Sequence, residues 1–152
     1  MLVAFGDPQS AARSGAGRVI GVIGVRCDNR FFPSNGWRDF PIIILGWWAS
    51  SIVSFLSNSE TEVELPFMDG PYRLRVGLGD SGYFVQLCDS DACVQCYSVV
   101  LSDIIAFAES VQRLAIDWMD IGVKLDPLGV DNLRLKKSCE SLNIILRRLA
   151  DQ

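Results

Sequence analysis

WRDFPIIILGWWASSIVSFL, residues 37–56, carries no charge after Asp39, and the next charged residue is Glu60. A neutral run of roughly 20 residues is long enough to span a bilayer. Pro41, Gly46 and the serines at 50, 51, 54, 57 and 59 argue otherwise, because they are not scattered. Leu45, Trp48, Ile52, Phe55 and Leu56 fall on one helical face, with Ser50, Ser54, Ser57 and Asn58 near the other. This spacing predicts a one-sided helix inside a globular domain, against which a sheet packs. Pro41 suits a first helical turn and Asp39 is placed to cap it, with contact to a partner as the alternative role for that carboxylate.

Downstream of this helix the pattern changes period. Strands are expected at about 61–67, 72–78, 83–88 and 93–99, joined by MDGP, GDSG and DSDA, all built from tight-turn residues. With four residues in each turn, Val63 faces Val76 and Val85, and Leu65 faces Leu74 and Leu87. The last strand then sets Val94 opposite Leu87 and Cys96 opposite Val85, all on one side. Glu62, Glu64, Arg73, Arg75, Gln86 and Gln95 take the other side, with Glu64 opposite Arg75. A slip of one residue would mix the two sets.

Upstream, RVIGVIGVR (18–26) reads as a buried strand. Residues 1–17 read as a short strand at Leu2–Phe5 followed by a Gly/Ser/Ala-rich, flexible connection. Asp28–Gly36 is expected to be a loop that folds Phe31 and Phe32 back onto the core. Two helices close the chain. One opens at Ser102–Asp103 and runs to about Asp120; the other carries a stripe of Leu135, Cys139, Leu142, Ile145, Leu146 and Leu149. The expectation is one α+β domain over residues 1–152: an antiparallel β-meander with an additional N-terminal strand, and helices packed on one face.

Composition narrows the chemistry. With 49% apolar and 21% charged residues the chain can build a core without metal or disulfide staples. It holds no histidine, which rules out Ser–His–Asp and Cys–His catalysis within the chain. Its five cysteines, with no export signal among the small polar residues 6–17, suggest reduced thiols in a cytoplasmic protein. Cys93 and Cys96, three apart in an extended strand, should point to opposite faces, so no metal site is expected there, and no cofactor. Cys88 and Cys93 fall opposite each other across the last turn, where pairing depends on how closely the β-carbons approach.

The net charge of −4 is unevenly distributed: +2 over residues 1–59, −9 over 60–131 and +3 over 132–152. The acidic middle disfavours a nucleic-acid partner and favours a basic one, although charge at this level also serves solubility. Asp69, Asp89 and Asp91 lie in two turns that share one end of an up-and-down sheet. Asp69 can be a turn residue or an exposed carboxylate on a rigid tip. Glu62 and Glu64 stand on one strand face, either as a solvated edge or as a second acidic patch. Trp47 falls towards the serine side of its helix and is available for contact. These six residues are the candidate partner-binding set.

GWRDFPIIILGWW (36–48) followed by LPFMDGPYRLRV (65–76) resembles small bacterial proteins of toxin–immunity systems, over about residues 18–100. The resemblance rests on W-x-D-F, the GWW step and FMDGPY, none of which is a catalytic motif. It implies a cytoplasmic protein that binds and neutralises a cognate protein toxin without a membrane or nucleic-acid partner, and it assigns no contact residues. A non-catalytic α+β adaptor is the alternative. An enzyme or small-ligand binder using the carboxylates or Cys93 is a third reading.

Overall fold

The computed structural model describes residues 1–152 as an α+β fold with three helices and two antiparallel sheets. In chain order the elements are β1 (Leu2–Arg13), β2 (Val19–Cys27), β3 (Arg30–Phe32), β4 (Arg38–Asp39), α1 (Pro41–Leu56), β5 (Glu62–Pro66), β6 (Tyr72–Gly79), β7 (Gly82–Asp89), β8 (Ala92–Val99), α2 (Leu101–Leu125) and α3 (Val130–Ala150). A single core of 33 buried side chains draws on both sheets and all three helices.

The meander is present in the order β5-β6-β7-β8, with Val63↔Val76, Leu65↔Leu74, Val76↔Val85 and Leu74↔Leu87 as the pattern requires. Its last pairing departs from the expected register. Cys88 pairs with Cys93, but Leu87 then pairs with Gln95 and Val85 with Tyr97, so Val94 is an extra residue in a β-bulge. Gln95 and Tyr97, not Val94 and Cys96, therefore stand on the inner side. The bulge also corrects the cysteine geometry. Cys93 and Cys96 now face Cys88 and Gln86 on the same outer side of the sheet, so strand alternation does not separate them. No group of three or more Cys, Asp or Glu side chains is placed to hold a metal ion.

The larger correction lies at the N-terminus. Instead of one extra strand and a flexible connection, residues 1–39 build a second sheet, with the twelve-residue β1 paired along β2, and β3 and β4 also paired to β2. The ladder between β1 and β2 is irregular between Asp7 and Ala12, where Pro8 lies. Ser10 repairs it: its hydroxyl accepts from the Val22 N–H at 2.7 Å and donates to the Asp7 carbonyl at 2.5 Å. A small polar stretch read locally as a connection is thus a strand whose ladder is completed by a side chain. Of the two aromatics expected to fold inward only Phe32 does, buried edge-to-face against Phe67 and Tyr72; strand alternation puts Phe31 on the outer face, paired with exposed Arg26 and edge-to-face with Phe5.

Helix α1 buries Leu45, Trp48, Ile52, Phe55 and Leu56, the stripe read from its spacing. Helix α3 packs over Gly46 at ordinary contact distance, a β-carbon there falling 3.7 Å from the Leu135 Cα. Helix α2 extends to Leu125, past the expected stop near Asp120, and Asp103 Oδ2 accepts from the Val100 N–H at its start. Trp118 of α2 lies against the first sheet over Gly21, where a β-carbon would fall 2.3 Å from its ring. No helix is long and apolar enough to cross a membrane.

Candidate partner-binding surface

Asp39 is not the helix cap that its position proposes. The N-cap of α1 is Phe40 and has no side-chain cap bond, whereas Asp39 sits in β4 at 2% exposure. Its Oδ1 accepts from the Phe40 N–H at 2.9 Å and its Oδ2 from the Trp37 indole N–H at 3.1 Å. The Asp69 N–H, thirty residues away, donates to both oxygens at 3.2 and 3.1 Å. No cation pairs with this carboxylate among the ion pairs of the chain. Burial pushes its pKa up, opposed by the three N–H donors. A buried charge is costly and is retained where its hydrogen bonds are. Here those bonds tie the first sheet to the turn between β5 and β6.

The aromatic residues around this carboxylate complete a joint between the two sheets and α1. Trp37 meets Tyr72 edge-to-face at 5.2 Å, and Trp48 meets Phe67 at 5.2 Å while donating its indole N–H to the Pro66 carbonyl at 2.8 Å. Gly70 has φ +85°, a left-handed conformation that side chains resist, so the turn depends on glycine at this point. W-x-D-F and FMDGPY, far apart in sequence, are therefore two halves of one latch. Its product is a fixed turn whose tip, Met68 and Asp69, is exposed.

The neighbouring turn docks onto it. The Ser90 N–H donates to the Pro71 carbonyl at 3.0 Å, and Arg73 donates from Nη1 to the Ser90 carbonyl at 2.5 Å. Asp69, Asp89 and Asp91 are thereby brought to the same end of the meander, Asp69 and Asp91 exposed and Asp89 half-buried.

The other three residues of the candidate set are placed elsewhere. Glu62 and Glu64 stand on the outer face, each bonded diagonally to an arginine: Arg75 to Glu62 and Arg73 to Glu64, with Nε–Oε1 distances of 3.0 Å. Glu64 pairs with Arg75 in register, yet bonds to Arg73. Exposed pairs of this kind contribute about 0–1 kcal/mol, and here they neutralise the patch. Trp47 is 44% exposed and lines a groove of about 520 Å³ between α1 and α3, whose walls also carry Met68 and a net positive charge: Arg18, Arg134 and Lys137 against Asp131, which lies 3.8 Å from Arg134. Trp47 thus belongs to a cationic groove, not to an acidic face, and Met68 is where this groove meets the acidic end. The groove was not read from the sequence, since its cations come from the N-terminal sheet and α3. The separate net positive charge of the two terminal segments was the only available sign of it.

No protein-family model matches the chain, and no curated protein or solved structure matches it.

Proposed function

We propose that this chain is an immunity-type binding protein that engages a cognate bacterial toxin in the cytoplasm through its acidic end. The observation that supports this reading is the buried Asp39 latch, which commits both oxygens of a desolvated carboxylate to holding an exposed turn in place. A core has no need of such a device at a solvent-exposed tip. A recognition turn does, because ordering a loop before binding reduces the entropy lost on association. The latch presents Asp69 beside Asp89 and Asp91, a compact anionic tip suited to a basic region of a partner. A chain without histidine fits an inhibitor that acts by occupying its target.

The test uses the product of the adjacent gene as candidate toxin, co-purified with this protein. Asp69, Asp89 and Asp91 replaced together by Asn should weaken binding by about 2–5 kcal/mol where the pairs are buried, and should flatten the salt dependence where they are exposed. Calorimetry at low and moderate salt reads both effects. A folded triple variant with unchanged affinity and salt dependence excludes this face. The cationic Trp47 groove favours a second reading, an adaptor that takes an acidic segment. In that case Trp47→Ala and Lys137→Glu abolish binding while the triple variant leaves it intact.

A further inference from the structure

One strand edge of the molecule is less blunted than the rest. At β1 the Ala4 N–H donates to the buried Ser110 hydroxyl of α2 at 2.9 Å, which joins that edge to a helix. Strands β3 and β4 are three and two residues long. Strand β5 has five residues, carries Glu62 and Glu64, and ends in Pro66. These are the usual protections against unwanted strand pairing: brevity, charge, proline and cover.

Of these, and of the bulges that also blunt edges, strand β8 has one, the extra residue at Val94. Its eight residues, ACVQCYSV, contain no charge, no proline and no glycine, in a chain that is 21% charged. It pairs only with β7, and residues 92–96 are all exposed, including Val94 at 41%. From Tyr97 onward the strand borders Met1 and Asp28, so the open part is Ala92–Cys96.

We infer that the β8 edge pairs antiparallel with β8 of a second copy, joining the two meanders into one continuous sheet across a two-fold axis. The charge pattern selects this occupant. At a two-fold axis each residue near the centre meets its own copy, so any charge there would repel itself, and only a neutral strand is complementary to itself. The turn holding Asp89 and Asp91 lies at the N-terminal end of β8. Antiparallel pairing over Ala92–Cys96 sets the two Asp91 residues six positions apart, about 20 Å along the strands. That exceeds the Debye length of about 8 Å at physiological salt, whereas parallel pairing would stack the two acidic turns. Growth stops at two copies, because the outer edges of the joined sheet are the charged, proline-ended β5 strands. This assembly is independent of the toxin-binding reading, since the acidic tips remain free at opposite ends.

Sedimentation equilibrium of the full chain from about 5 to 200 μM, under a phosphine reductant, tests the inference. The expected result is a mass rising with concentration from 16.8 kDa to twice that value and no further. Val94→Lys should raise the dissociation constant at least about tenfold, since a lysine on an edge strand opposes pairing. Val123→Lys, at a position 57% exposed on α2, should leave it unchanged. Hydrogen exchange supplies a readout free of any variant: amides of residues 92–96 should slow at high concentration, while those of β5 do not. A monomer throughout the range, higher oligomers, or equal weakening by Val123→Lys overturns the proposal. So does a dimer that disappears on reduction, which would be a thiol adduct of Cys93 or Cys96.

Discussion

Asp39→Asn keeps the shape of the latch and removes its charge and one acceptor. Three N–H groups converge on the carboxylate: Phe40 on Oδ1, Trp37 on Oδ2, and Asp69 on both. An asparagine offers one carbonyl oxygen and one NH2. In either amide orientation its NH2 faces a donor, so at least one buried N–H loses its partner, at about 1–3 kcal/mol. The bonds that survive lose their charge assistance, but the raised carboxyl pKa means that burying the charge costs more than that assistance returns, so no further loss is added. The net loss should be about 1 kcal/mol, read from urea unfolding at constant m. The loss should also depend on pH. Burial raises the carboxyl pKa above its ordinary 3.8, so the native state holds the proton more tightly than the unfolded chain. Stability contributed by Asp39 therefore falls as pH rises from 3.8 through the raised native value. The gap between wild type and variant should be wider at about pH 3 than at about pH 7. A loss below about 0.5 kcal/mol at both pH values would show that the turn does not depend on this carboxylate.

Trp48 is fully buried and donates to Pro66, so Trp48→Ala should cost about 3–5 kcal/mol in chemical denaturation, and Trp47→Ala much less; equal losses would refute the assigned phase of α1. In the native protein Cys93 and Cys96 should react with a thiol reagent, while Cys27, Cys88 and Cys139 stay silent until the chain unfolds. Burial pushes the Cys27 pKa to about 11, so its thiolate is scarce even at mildly alkaline pH; three or more fast thiols would contradict the burial assigned. Gly21→Val should destabilise by more than about 2 kcal/mol through collision with Trp118, and a thermal midpoint equal to wild type would mean that α2 does not lie on this sheet.

The elements that depend on local periodicity were legible from the sequence: the stripe of α1, the inner row Val63, Leu65, Leu74, Val76, Val85 and Leu87, and the faces of α2 and α3. Side-chain alternation and helical pitch are properties of neighbouring residues, so hydrophobic burial writes them directly into the order of residues. The same holds for the placement of Asp69, Asp89 and Asp91 at one end, since alternate turns of a meander must share an end. What depended on distant partners was not legible. Leu2–Phe5 was legible as a strand, but residues 6–13 continue it because β2 is present to receive their backbone bonds and Ser10 to repair the break, not because their composition favours extension. The bulge at Val94 came from the pairing of two strands and no property of one, and it moved Gln95 and Tyr97 inward while bringing Cys93 and Cys96 to the same face. Asp39 had the local signature of a helix cap, yet both its oxygens accept from the Asp69 N–H, thirty residues away in the turn between β5 and β6. Local patterns selected which residues are buried; only the folded chain could decide which buried groups satisfy one another, because a hydrogen-bond partner is set by distance in space and not by separation along the chain.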